Sequence, residues 1–100
     1  MSLFAVSFVL EDGADYSDRY NALTGAIESL AGGEVWCETT SFYLLTSTKN
    51  SAGLKNAIVE ASNLQKGDTL VVINISQTRG HAAEGVTDKA LFKRLMDQRQ

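Results

Sequence analysis

The chain contains no proline and only one cysteine in 100 residues, and each shortage excludes a class of protein. The absence of proline excludes a proline-rich linker or recognition segment. The single cysteine, Cys37, cannot form an intramolecular disulfide, so we do not expect the fold to need an oxidising compartment.

Long apolar runs are also missing. No stretch approaches the roughly 20 apolar residues that a membrane-spanning helix needs. The apolar residues 1–10 follow no basic segment and precede no small-residue cleavage site, so they are more typical of a strand than of a signal peptide. The sequence therefore predicts a cytoplasmic protein that does not contact the membrane.

The composition that remains is typical of one globular domain, with 44% hydrophobic and 21% charged residues. The net charge of −3 gives no overall attraction to nucleic acid. The charge is unevenly divided, because residues 1–50 carry seven acidic and two basic side chains, whereas residues 51–100 carry five acidic and seven basic ones. This asymmetry indicates surfaces of opposite charge.

The first half of the chain predicts a strand, a helix and a hairpin. Residues 3–10 are rich in aliphatic and aromatic side chains and predict a largely buried strand. A helix then begins with Ser17 as its N-cap and ends at Gly32 and Gly33 in the left-handed conformation. Its apolar stripe consists of Tyr20, Leu23, Ile27 and Leu30. Residues 34–46 form two strand-like pieces, which we interpret as a hairpin.

The second half predicts two further helices around a strand. One helix begins near Ser51, reaches Lys66 and is capped by Gly67. Residues 69–75 predict a strand and residues 76–86 a polar loop. Residues 87–100 predict a third helix with Thr87 as N-cap and with an apolar stripe of Leu91, Phe92, Leu95 and Met96.

This order of elements predicts an α+β, ferredoxin-like βαββαβ sandwich with a four-stranded antiparallel sheet and an extra C-terminal helix. Right-handed crossovers would place both central helices on one face of the sheet, so the other face must be solvated or covered by a partner or by the tail. Residues 1–76 form the predicted ferredoxin-like core. Residues 77–100, a polar loop and the C-terminal helix, belong to the same domain or serve as a dimer arm, with Leu91, Phe92 and Leu95 as candidate interface residues.

Four segments of the core carry a resemblance: FAVSF at 4–8, YNAL at 20–23 with AI at 26–27 and SL at 29–30, TSFYL at 40–44, and GDTLVV at 67–72. Over about residues 3–75 they resemble the small ferredoxin-fold proteins related to the CRISPR-associated nuclease-like protein that partners the spacer integrase. They are still more similar to uncharacterised bacterial relatives that are often labelled SinR-like. The resemblance implies a ferredoxin-like fold and a tendency to dimerise.

The nuclease-like family has an aspartate at the end of the first strand, directly after an aromatic residue. Two copies in a dimer bring these aspartates together to hold a divalent metal. Here the aromatic residue is Phe8 and the next residue is Val9, whose side chain has no oxygen to offer a hard cation. Glu11 and Asp12 follow shortly afterwards and are the candidate metal ligands if the strand end is reshaped.

The remaining candidate sites each have a simpler interpretation. The acidic loop around Glu11 and Asp12 lacks the spacing of an EF-hand, so helix capping and solvated loop charge explain it more simply than metal binding does. His81 is interpreted as an exposed loop histidine and Cys37 as a buried packing cysteine. The sequence contains no glycine-rich phosphate loop, and no cofactor is expected.

A basic group near the C-terminus gives the candidate nucleic-acid-binding residues, which are Arg79, Lys89, Lys93 and Arg94. Acidic residues are interleaved with them, so a solvated helix face is the alternative interpretation.

Two functions from different classes follow from these observations. The first is a small non-enzymatic interaction protein that forms a homodimer, with any other protein partner unknown. The alternative is a nucleic-acid-binding protein or a metal-dependent nuclease of the CRISPR-associated nuclease-like family. A ligand-binding regulatory domain is a third hypothesis, which no residue supports directly.

Overall fold

The computed structural model describes residues 1–76 and 80–98, within which the chain forms five strands and three helices. The α+β class predicted from the sequence is confirmed. The elements are β1 (Ser2–Val9), α1 (Tyr16–Leu30), β2 (Val35–Trp36), β3 (Phe42–Ser47), α2 (Ser51–Ala61), β4 (Thr69–Asn74), β5 (His81–Glu84) and α3 (Lys89–Met96).

The strands form one antiparallel sheet in the order β2-β3-β1-β4-β5. The predicted hairpin is present as β2 and β3, although β2 has only two residues. The predicted four-stranded sheet is wrong by one strand, because β5 forms inside the segment that we expected to be a polar loop. Its sequence, HAAE, has little strand propensity of its own, and pairing with the outer edge of β4 supplies the hydrogen bonds that make it a strand.

The core lies between one face of the sheet and the two longer helices. Phe4, Val6 and Phe8 of β1 point towards the helices and are buried. Leu23 and Ile27 of α1 and Leu54 and Ile58 of α2 meet them, as the helical periodicity predicted. The expectation that β1 is largely buried is wrong for its other face, because a strand turns alternate side chains to opposite sides of the sheet and Val9 is 60% exposed.

The predicted ends of α1 are wrong at both termini. The helix begins at Tyr16, whose amide donates to the carbonyl of Gly13, and Asp15 rather than Ser17 is at the N-cap position. Its C-cap is Ala31 in an extended conformation, and the glycines that follow do not adopt a positive φ. Propensity identified the helix, but local hydrogen bonds set its ends.

The other two helices are shorter than predicted. α2 ends at Ala61, where the hydroxyl of Ser62 donates to the carbonyl of Ile58 at 2.7 Å. Gly67 does have a positive φ of 100°, but it lies in the turn before β4 instead of capping the helix. α3 begins after Asp88, whose carboxylate accepts the amide of Leu91 at 3.0 Å and replaces Thr87 as the cap.

A buried ion pair joins α1 to the turn before β4. Nη1 of Arg19 lies 2.7 Å from Oδ2 of Asp68, and both residues are almost fully buried. The same guanidinium donates to the carbonyl oxygen of Glu11 and, from Nε, to the carboxylate of Asp15 at 3.2 Å. Arg19 therefore links the end of β1, the start of α1 and the turn before β4.

Asp68 is satisfied from the backbone as well. Its carboxylate accepts the amide of Glu11 at 2.8 Å and the amide of Gln65 at 2.9 Å. Burial is the strongest single influence on this group and by itself raises the pKa of Asp68. The two amides and the guanidinium of Arg19 together outweigh burial, so the pKa of Asp68 lies below its ordinary value.

Replacing Asp68 by alanine should be strongly destabilising, because the guanidinium of Arg19 would stay buried without its partner and two amides would lose their acceptor. We expect Asp68→Ala to lower the free energy of unfolding by about 3 to 5 kcal/mol. Urea denaturation followed by circular dichroism measures this. The exposed Asp12→Ala is the matched control and should change stability by no more than about 0.5 kcal/mol. Equal effects of the two substitutions would contradict the role of the ion pair.

Stability should also fall in acid. The pKa of Asp68 is lower in the folded state than in the unfolded state, so its stabilisation is complete above the ordinary value of 3.8 and is lost as the pH falls through the folded value. We expect the free energy of unfolding to decrease as the pH is lowered towards about 3, and to decrease less steeply in Asp68→Asn. A series of urea melts across this pH range tests it, and parallel curves for the two proteins would refute the assignment.

Candidate functional site

The face of the sheet that points away from α1 and α2 is mainly apolar and is called here the open face. The antiparallel register aligns its side chains across four of the strands. Its polar members are Ser7, Thr46 and Thr69. Its apolar members are Leu3, Ala5, Val9, Trp36, Phe42, Leu44, Val71, Ile73 and Ile75. Val9, Trp36 and Ile75 are 60%, 40% and 49% exposed. A contiguous apolar surface of this kind is typical of an interaction site.

Trp36 is the largest side chain on the open face. It extends from β2 at the edge of the sheet, and its ring meets that of Phe42 edge-on with centroids 6.2 Å apart. Tyr43, the other aromatic residue that the sequence left open as core or interface, is buried on the opposite face against Phe8. Trp36 is thus positioned as an anchor, since a large, held aromatic ring loses little freedom on binding.

α3 has an apolar side that the described chain covers only in part, since Phe92 and Met96 are half-buried. None of its residues is buried, and Leu91 and Leu95 are 41% and 52% exposed. Phe92 alone makes an aromatic contact, edge-on to His81 of β5 with ring centroids 5.6 Å apart. All three candidate interface residues are therefore on one amphipathic helix at the β5 edge of the sheet.

Charges of opposite sign lie at the two edges of this surface. On α3, Lys93 pairs with Asp97 at 2.7 Å, whereas Lys89 and Arg94 are exposed and form no ion pair within the described residues. At the other edge, the exposed carboxylates of Glu34 and Glu38 are close to Trp36 in sequence and likewise form no ion pair there. The charge asymmetry seen in the sequence is therefore present in space.

The two candidate metal ligands follow β1 at the opposite end of the sheet from the α2 N-terminus. The carboxylate of Glu11 lies over Gly67, while Asp12 is exposed. Within residues 1–76 and 80–98, no group of three or more His, Cys, Asp or Glu side chains is arranged to hold a metal ion. Metal binding by Glu11 and Asp12 stays a prediction.

Two interpretations of single residues are corrected. Cys37 is exposed, because β2 ends at Trp36 and Cys37 therefore lies in the connection between β2 and β3. His81 is half-buried in β5 and contacts Phe92, because pairing with β4 draws the expected loop into the sheet. Of the candidate nucleic-acid-binding residues, α3 brings Lys89, Lys93 and Arg94 together, and Arg79 lies outside the described residues.

An open groove of about 930 Å³ lies between the turn before β4 and the turn that leads into α3. Its charged lining mixes both signs, with Glu11 and Glu84 beside Lys66 and Lys89. Such a mixture favours no particular class of small ligand. Elsewhere in the described chain, no helix combines the length and the apolar character that crossing a membrane requires.

Sequence reasoning missed the polar residues that tertiary contacts bury. The ion pair joins Arg19 and Asp68, which are 49 positions apart in the sequence, so no local sequence pattern indicates it. The buried hydroxyl of Ser51 was interpreted only as part of a helix start. Comparison with protein-family models, with curated proteins and with solved structures finds no match to this chain.

Proposed function

We propose that this protein is a small non-enzymatic interaction protein that pairs with a second copy of itself through the open face and α3. The observation that carries the proposal is that the open face and the apolar side of α3 are both partly exposed within the described chain. A sheet with one face buried under helices and one apolar face exposed is incomplete as a monomer, because burying apolar surface is the main source of stability.

The size of the surface favours a contribution from α3. The five strands have 8, 2, 6, 6 and 4 residues. With a rise of about 3.3 Å per residue and a spacing of about 4.8 Å between strands, they present roughly 400 Å² in projection. A stable interface buries about 800 Å² on each partner. The open face alone falls short, and the exposed Leu91 and Leu95 of α3 supply further apolar area beside it.

Charge complementarity favours a second copy as the occupant. The basic Lys89 and Arg94 at one edge match the acidic Glu34 and Glu38 at the other. In a two-fold dimer, α3 of one protomer would lie near the β2 edge of its partner, and the pairing would occur twice. Attraction of this kind selects orientation and raises the association rate more than it raises affinity.

Pairing through sheet edges is less well supported than pairing through faces. The edge strands β2 and β5 have only two and four residues, so each presents few backbone groups for strand addition. The order β2-β3-β1-β4, with both longer helices packed on one face, supports our proposal that the first six elements form a ferredoxin-like unit to which β5 and α3 are added.

The alternative function is binding or cleavage of nucleic acid, as the family resemblance implies. One observation favours binding, namely that Lys89 and Arg94 are exposed on the same helix. For cleavage, the position of the expected aspartate is occupied by Val9, which lies on the open face. The same variants test both functions.

A charge in the middle of the proposed interface should disrupt the dimer. We expect Leu95→Glu to convert a dimer into a monomer, because a carboxylate cannot be buried against the apolar face without a large desolvation cost. Leu95 is 52% exposed in the single chain, so the substitution should leave the fold intact. Analytical ultracentrifugation gives the mass, and circular dichroism verifies the fold.

Asn56→Glu is the matched control, because it adds the same charge to an exposed position of α2 on the helical side of the molecule. It should leave the dimer unchanged. A wild-type protein that sediments as a monomer at all concentrations, or a Leu95→Glu variant that remains dimeric, would contradict the proposal.

Reversing a charge on α3 should weaken the dimer modestly. We expect Arg94→Glu to raise the dimer dissociation constant about two- to fivefold at low salt, the usual effect of an exposed ion pair, and Glu38→Arg in the same chain to restore part of it. The effect on the dissociation constant should fade as the salt concentration increases.

The fluorescence anisotropy of labelled DNA and RNA, measured with the same proteins, distinguishes the alternative function from self-association. Saturable, salt-sensitive binding that Arg94→Glu abolishes would favour the nucleic-acid function.

A further inference from the structure

A second cavity lies at the N-terminus of α2. It has a volume of about 380 Å³, and we call it the α2 cavity. The ends of β1, β4 and β5 form one wall, and residues 48–52 at the start of α2 form the other. It lies at the opposite end of the sheet from the Arg19–Asp68 ion pair.

Ser51 marks this cavity as unusual. The residue is only 5% exposed, and its Oγ is fully buried without a hydrogen-bond partner among the described residues. Buried hydroxyls are nearly always hydrogen-bonded, so an unpaired one in a cavity wall indicates a group that a ligand can complete. Ser51 is one of the residues that line the α2 cavity, so its hydroxyl lies directly beside that cavity.

The wall around Ser51 is held in place. Oγ lies against Gly80, where an added Cβ would be 3.0 Å from it and 2.7 Å from the Cβ of Asn74. The amide of Asn74 donates to the carbonyl of Gly80 at 2.7 Å, which fixes the approach of the two segments. The absence of a side chain at position 80 therefore lets the backbone pass close to the start of α2.

The start of α2 also provides backbone donors. The Asn50 side chain accepts the amide of Gly53 at 2.7 Å, and its carbonyl accepts the amide of Leu54 at 2.9 Å. The amides of Ser51 and Ala52 precede these and have no partner inside the helix. Helix N-termini of this kind bind anions through their amides and through the helix dipole.

The charges that line the α2 cavity have one sign. Lys49 is exposed at its rim, and no aspartate or glutamate is among the lining residues. In a chain with a net charge of −3, such a cavity stands out as electropositive. A tetrahedral anion with several acceptor oxygens matches a hydroxyl, two amides and an ammonium group.

We propose that the α2 cavity binds the phosphoryl group of a small phosphorylated compound, with the Ser51 hydroxyl, the amides of Ser51 and Ala52 and the ammonium of Lys49 as its donors. The cavity is larger than a phosphate ion, so it has room for part of the organic group of a phosphate monoester. This binding does not require the proposed self-association, because none of its donor residues lies on the open face or on α3.

A titration of the 100-residue chain with inorganic phosphate, followed in ¹H–¹⁵N correlation spectra, tests the proposal. The expected result is saturable movement of the Ser51 and Ala52 amide signals, which sodium chloride at equal ionic strength does not reproduce. A parallel titration with glycerol 3-phosphate distinguishes the free ion from a phosphate monoester, and tighter binding of the monoester assigns the site to the latter. Absence of saturation with both probes would overturn the proposal.

Two substitutions make the test specific. Ser51→Ala should weaken binding about tenfold, because it removes one hydrogen bond to a charged group. It should leave the thermal midpoint unchanged or higher without phosphate, since the hydroxyl has no partner to lose. Lys49→Ala should weaken binding several-fold. Ser17→Ala and Lys66→Ala, at exposed positions outside the α2 cavity, should change neither the affinity for phosphate nor the thermal midpoint. Unchanged affinity in Ser51→Ala, or a marked loss of its stability, would refute the role of the hydroxyl.

Discussion

The buried ion pair between Arg19 and Asp68 holds together the end of the molecule where three connections meet. The guanidinium reaches the last residues after β1, the start of α1 and the turn before β4, and the carboxylate accepts two backbone amides. Taking both charges out of water is costly, and these bonds offset that cost only in one arrangement. Apolar contacts between α1 and the sheet tolerate small shifts, whereas this network does not, so it fixes where the helix crosses the strands.

The helical layer on one face of the sheet is complete, whereas the layer on the other face is not. Two helices of 15 and 11 residues cover one face of the sheet and bury Leu23, Ile27, Leu54 and Ile58 there. α3, with eight residues and none of them buried, leaves the other face largely open. Within residues 1–76 and 80–98 no further element covers that face, so several of its apolar side chains stay exposed. The proposed function follows from this imbalance between the two layers.

The two ends of the sheet differ in how their buried polar groups are satisfied. At one end every donor around Asp68 has an acceptor, which is the signature of a structural network. At the other end the Ser51 hydroxyl is buried and unpaired among the described residues, at the start of a helix whose first amides have no partner inside the helix. A chain tolerates an unpaired buried hydroxyl only at a cost in stability. The contrast between Asp68 and Ser51 therefore separates a residue that maintains the fold from one that is available to a ligand.

The sequence by itself determined the α+β class, the identity of most elements and the inner faces of α1 and α2, because a periodic apolar pattern is a local property that survives in any context. It also indicated the amphipathic C-terminal helix and the separation of charge. Only the tertiary structure decided that residues 81–84 become a strand, that Cys37 is exposed, and that α1 begins at Tyr16. It alone paired Arg19 with Asp68 and left Ser51 without a partner. These features depend on hydrogen bonds between residues far apart in the chain, which no local pattern of side chains encodes.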